Sequence, residues 1–169
     1  MLDVICNFMR TLYTFVILIF NLSYSSLAQN NPTAPFLRMK GTLSYPIKNV
    51  SEINDFNSRK HICDLDLSSK STIFYTNNSS DVNAVFKGKV AKVALVEDIY
   101  VIIIEYGKYF FTYAGVVNPI VKEGDIVNTG QIISSTGKDF DDRFCVEIYF
   151  SNATKNIDPF PWFRPRCSQ

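Results

Sequence analysis

Arg143, Cys145, Glu147 and Tyr149 stand at every second position of the stretch RFCVEIYF. In an extended strand that spacing puts a guanidinium, a thiol, a carboxylate and a phenol on one face. Such a face could carry a cysteine nucleophile, or could bind a partner without chemistry. A cysteine nucleophile wants a base, usually histidine, to form its thiolate, and a carboxylate beside it raises its pKa instead. The chain has a single histidine, His61, in FNSRKHICDLD, far from Cys145 in sequence. Pairing Cys145 with Glu147 or His61 is the unorthodox hydrolase that these residues leave open. The plainer reading of Cys145 is a small buried hydrophobe among apolar neighbours. Asp64 and Asp66 next to His61 offer a weak metal site, and a solvated loop describes them better. No Met-Lys or Asp-Lys stands at a hairpin tip, so a swinging-arm carrier is not expected, and no cofactor is implied.

The elements that must position these residues are strands. Phe144, Val146, Ile148 and Phe150 alternate with the polar set and give RFCVEIYF one core face. Upstream, TIFYT, DVNAVF, KVAKVALV, IYVIIIEY, KYFFTYAGV and QIISST are rich in β-branched and aromatic residues and are punctuated by Asn, Gly, Asp and Pro. Short strands at this spacing predict an all-β sandwich or barrel. Helical periodicity is absent apart from a possible turn at the C-terminal end. Gly88, after Lys87, is expected to take the positive φ of a tight reversal. Gly124-Asp125 and Thr129-Gly130 predict two turns around Ile126-Val127. The polar stretch Asn49 to Ser71 reads as a long surface segment, and Gln29 to Pro35 as a flexible lead-in without structure of its own.

The 169 residues suit one domain with a real core, at 47% hydrophobic and 14% aromatic composition. Seventeen basic and 16 acidic residues give a net charge of +1, so charge implies no nucleic-acid or anionic-membrane partner. Arg10 precedes the apolar run Leu12 to Phe20, which ends in Ser26-Leu27-Ala28; this is the anatomy of a secretory signal peptide cut after Ala28. The run is shorter than the ~20 residues of a spanning helix, so cleavage is favoured over an uncleaved anchor. No later segment is long and apolar enough to span. The mature protein is therefore expected to be soluble beyond a membrane, with Cys63, Cys145 and Cys167 in a compartment that oxidises thiols. Three cysteines allow at most one bridge within the chain, and the pairing stays open. Asn49, Asn78 and Asn152 stand in glycosylation triplets that matter only in a glycosylating host.

The order of several short phrases carries a family resemblance. KGTLSYPI is similar to a Lys-Gly-x-Leu-x-x-Pro opening strand, AVFKGKVAKV to an Ala-Val-x-x-Gly-x-Val hairpin, and VIIIEYGKYFFTYAGV to a strand, His-Gly turn and Tyr-Ala-x-Leu segment. VKEGDIVNTGQIISSTG matches a Val-Lys-x-Gly-Asp-x-Val-x-x-Gly-Gln phrase, FCVEI a Leu-His-Phe-Glu-Ile strand, and NIDPFPWF an Asp-Pro-x-x-Trp ending. Together these resemble the LytM or lysostaphin-type murein peptidase domain over residues 40–163. The preceding parts are the signal, 1–28, and the lead-in, 29–39; residues 164–169 form a tail. The resemblance implies a barrel-sandwich hybrid, the duplicated hybrid motif, of short antiparallel strands.

It also implies what is missing. Active members hold zinc through a His-x-x-x-Asp stretch and the second histidine of His-x-His, with a further histidine near Tyr-Ala-His; three protein ligands leave a place for an activated water. On the matching positions Arg143 and Cys145 replace His-x-His, Tyr106 the His of His-Gly, and Gly115 the His of Tyr-Ala-His. KSTIFYTNN, where the early motif should lie, has neither histidine nor aspartate, and His61 lies too far upstream. The resemblance is therefore to degenerate, EnvC-like members, which bind and activate a separate cell-wall amidase. It implies no catalytic residue, no metal ligand and no enzyme activity. Tyr106, Tyr113, Gly115, Arg143, Cys145, Glu147 and Tyr149 then form a degenerate cleft or partner surface. A murein (peptidoglycan)-binding module is the alternative, and a residual murein endopeptidase the remaining one. The implied location is the periplasm or cell envelope. The coiled-coil arm that precedes the domain in EnvC-like proteins is not expected from the residues before Lys40.

Overall fold

The computed structural model of the chain describes residues 33–55, 70–96 and 98–165. His61, Cys63, Asp64, Asp66 and Cys167, and the expected signal, lie outside the described residues. Ten strands follow in order: β1 (Val50–Asn54), β2 (Ser71–Thr76), β3 (Asp81–Asn83), β4 (Gly88–Val96), β5 (Ile99–Tyr106), β6 (Tyr109–Val117), β7 (Ile126–Val127), β8 (Ile132–Lys138), β9 (Phe144–Asn152) and β10 (Asn156–Ile157). All the strand pairings are antiparallel, and the strand path runs β1-β2-β9-β8-β6-β5-β4-β7. The fold is all-β, as the spacing of β-branched runs predicts. Among the described residues helix is confined to α1 (Thr33–Leu37) and a 3-10 turn at Phe160–Trp162, the latter at the end where a turn is expected. Among the described residues no helix is long and apolar enough to cross a membrane.

The sheet forks, and the fork positions the candidate residues. β9 pairs with β2 along one edge, from Phe144↔Thr76 to Tyr149↔Ser71. Along the other it pairs with β6 from Asn152↔Tyr109 to Glu147↔Ala114, and then changes partner: Cys145 faces Gly137 and Phe144 faces Lys138 of β8. β6 makes the same change, with Val116 and Val117 facing Thr136 and Ser135. β8 thus enters as a wedge where β6 and β9 part. The parting is built from backbone. Opposite β5, Tyr113 pairs with Ile102 and Val116 with Tyr100, so β6 carries one extra residue between them, and Gly115 takes φ 71° there. That is a bulge with a left-handed glycine, which bends and twists its strand.

Four expectations are corrected. The lead-in has structure at its C-terminal end: Phe36 of α1 is fully buried. Its ring lies against Phe86, Tyr109, Phe111, Phe150 and Trp162, and stacks on Trp162 at 4.1 Å between centroids and 3° between planes. One aromatic residue after a proline gives no periodicity, yet its buried area makes it a core member. The segment Asn49 to Ser71 holds β1 near its start and the first residue of β2 at its end, the residues 56–69 lying outside the described ones. Gly88 does not have positive φ; it opens β4, and a Cβ there would run into the Glu105 carbonyl oxygen and come within 2.7 Å of Ile104 Cγ2. Its smallness serves close packing of β4 on β5, and β3 pairs with β8 rather than with β4, so no tight hairpin forms there. By contrast Gly124 and Gly130 take φ 95° and 80°, as their turns require. KGTLSYPI is held by isolated bridges, Leu43 to Phe163 and Ile47 to Val82, and is not a regular strand.

Candidate functional site

β9 places Cys145, Glu147 and Tyr149 on the face away from the core residues Val146, Ile148 and Phe150, as their alternation requires. Arg143 stands just before the strand and is exposed. The outer face is less open than the sequence suggests. Cys145 is 8% exposed and Ser71, on the neighbouring strand, is fully buried. Burial pushes the Cys145 thiol up to about 12, and the charges of Asp139 and Glu147 add to it more than Arg143 offsets. Cys145 is a neutral thiol at any physiological pH. Glu147 accepts a hydrogen bond from Ser71 Oγ at 2.7 Å.

Arg143 is bound rather than free. Its Nε and a terminal nitrogen donate to Asp139 Oδ2 at 3.1 and 3.0 Å, with Glu52 at 3.6 Å and Asp141 at 3.9 Å. The guanidinium carbon lies 4.0 Å from the centroid of the Tyr75 ring, a cation–π arrangement. Arg143 therefore joins β1, β2 and the turn between β8 and β9. Burial raises the Tyr75 hydroxyl pKa, and Arg143 opposes that shift.

Gly115, Cys145 and Glu147 meet at the fork, where Gly137 brings its backbone so close that a Cβ would lie 2.5 Å from the Gly115 carbonyl oxygen. Tyr149 continues the same face two residues on, opposite Thr112 and Ser71. The other two candidates fall elsewhere. Tyr113 is fully buried in the core, where its hydroxyl accepts the Val85 N–H at 2.7 Å, so it offers no contact surface. It continues the inward alternation of Tyr109 and Phe111, and the bulge at Gly115 comes only after it. Tyr106 ends β5 opposite Tyr109, level with Asn152, which is roughly 30 Å of strand from Arg143 at the usual rise per residue. It packs edge-on against Phe86 under Lys87. Glu52, Ser71, Tyr75 and Asp139 belong to the site and were not legible as such. Only Asp139 carries a local signal, an aspartate opening a turn whose backbone it caps.

Among the described residues no group of three or more His, Cys, Asp and Glu side chains is placed to hold a metal ion. What the arrangement can do is present a fixed, charged and aromatic surface at the Arg143 end of β9.

No family model matches the chain, and no curated protein matches it. Solved structures do. A chain of the SpoIIQ–SpoIIIAH pore-forming complex aligns with TM-score 0.58 at 16% identity, over 75% of this chain and 92% of that one. A putative peptidase M23 from Pseudomonas aeruginosa gives 0.61 at 13% identity, over 89% of this chain and 60% of that one. The catalytic domain of the prophage-encoded M23 protein EnpA from Enterococcus faecalis gives 0.55 at 15% identity, over 73% and 96%. At these identities the likeness is one of fold: the chain has the fold of M23 peptidase domains.

Proposed function

We propose that the chain is a non-catalytic cell-envelope domain on the LytM-type peptidase fold that binds or activates a murein-processing partner such as an amidase. The observation that carries this reading is the state of Arg143 and Cys145, the two residues matched to the zinc-binding strand. A guanidinium has no lone pair with which to coordinate a metal ion, and this one is held by Asp139. A buried thiol whose pKa burial pushes up to about 12 supplies no nucleophile at neutral pH, and among the described residues no group of three or more His, Cys, Asp and Glu side chains surrounds it. Gly115 has no side chain to offer. The zinc ion that the fold family uses does not fit these residues, and no hydrolytic step is derived through it. A fold kept without its chemistry still has a surface to offer, and one fold serving unrelated functions is common. Passage of the chain across a membrane by its N-terminal signal, and residence in the periplasm or envelope, belong to the same proposal.

The test is amidase digestion of murein sacculi with and without the purified chain. Stimulation by the native chain, lost in Arg143→Glu, supports the reading. Co-sedimentation with sacculi without any effect on amidase favours a murein-binding module instead. If Arg143→Glu and Tyr149→Ala both leave stimulation and sedimentation unchanged, the Arg143 end of β9 is not the contact surface.

A further inference from the structure

The turn that joins β8 to β9 holds an aromatic ring out in solvent. Phe140 is 84% exposed, the most exposed of the large apolar side chains among the described residues. A loose loop would be free to fold such a ring back onto the sheet, but this turn is fixed. Asp139 Oδ1 accepts the N–H groups of Asp141 and Arg143 at 3.0 and 2.9 Å, and the Asp139 N–H donates to the Arg143 carbonyl at 2.9 Å. Asp142 closes the turn at φ 66°, and Arg143 ties the Asp139 carboxylate to the Tyr75 ring and Glu52. The surroundings are acidic. Lys138 pairs with Asp142 at 2.8 Å and Arg143 with Asp139 at 3.0 Å, which leaves Asp141, 81% exposed, and Glu52, 52% exposed, as the less closely held carboxylates. An aromatic ring on a stem already ordered loses little entropy on docking, and aromatic anchors carry most of the energy of interfaces. Carboxylates beside it oppose an anionic membrane and favour a partner rim of opposite charge.

We propose that Phe140 is the docking anchor of this chain, entering an apolar pocket on a protein partner whose rim carries lysine or arginine facing Asp141 and Glu52. The proposal rests on the reading of the chain as a partner-binding domain, and it moves the main contact from the face of β9 to the turn before it.

The test introduces the photo-crosslinker p-benzoylphenylalanine in place of Phe140 or, separately, of Tyr149, in the full chain produced in its own host. Adducts are identified and their cross-linked peptides mapped by mass spectrometry. The expected result is an adduct from position 140 to one other protein, through a segment that contains lysine or arginine. The purified partner should then bind Phe140→Ser and Asp141→Lys at least tenfold more weakly than the native chain, with the melting temperature of both variants unchanged. An adduct to a second copy of the chain or to lipid, or a dissociation constant unaltered by either substitution, overturns the proposal. An adduct from position 149 alone overturns it and leaves the partner-binding reading intact. No protein adduct from either position contradicts both.

Discussion

Cys145 and Tyr113 show how far single residues can be read without their surroundings. The alternation of RFCVEIYF gives the face of Cys145 correctly, and its apolar neighbours give its buried, unreactive state. Its folded pKa, raised to about 12 from the ordinary 9.0, sets a direction for pH dependence. Between those values the unfolded chain has released the thiol proton and the folded chain has not. Stability therefore holds below pH 9 and falls as pH rises toward 12, by up to about 1.4 kcal/mol per pH unit from this group. Urea titrations across that range should show the fall, and Cys145→Ala should flatten part of it; Tyr75 and Tyr113, also raised by burial, contribute in the same sense at higher pH. In the folded protein Cys145 should resist iodoacetamide at neutral pH and react once urea unfolds the chain. Tyr113 was placed at the cleft by the matched Tyr-Ala phrase, whereas alternation with Tyr109 and Phe111 turns it into the core. Its buried hydroxyl holds the Val85 N–H, so Tyr113→Phe leaves that donor unpaired. The expected cost is about 1–3 kcal/mol in chemical denaturation, although the ring volume is almost unchanged.

At the scale of elements the strands were legible because each is a run of β-branched and aromatic residues closed by turn residues. What escaped were elements whose signal is one residue long. α1 has five residues and one buried ring, and its place in the fold comes from partners as distant in sequence as Phe150 and Trp162. Phe36→Ala should cost about 3–5 kcal/mol, and a chain started at Lys40, the boundary suggested by the sequence, should be destabilised at least as much in the same denaturation experiment. Gly88 escaped for a related reason: a glycine next to a lysine between two strands reads as a turn, while close approach of two backbones leaves no trace in sequence. Gly88→Ala forces a methyl group against the Glu105 carbonyl, so the β4–β5 pair must shift. A loss of about 1–3 kcal/mol is expected, where a glycine placed only for flexibility would gain from alanine.

For the whole molecule, the order of phrases from KGTLSYPI to NIDPFPWF pointed to the peptidase fold, and M23 domains share it at identities of 13% and 15%. The candidate site was half legible. The fork at Gly115, Cys145 and Glu147 follows from matched positions in one phrase after another, but the clamp on Arg143 draws Glu52 and Tyr75 from β1 and β2, far upstream of it in sequence. Tyr106 shows the opposite error, a residue matched by motif that the topology carries to the far end of the sheet. The central claim is that the fold has been kept and the zinc chemistry lost. The most direct measurement is elemental analysis for zinc on the purified protein, run beside digestion of murein sacculi by the same sample. Zinc well below one equivalent and no release of murein fragments is the expected result; one equivalent of zinc with fragment release would contradict the account and require a ligand set other than the residues matched here.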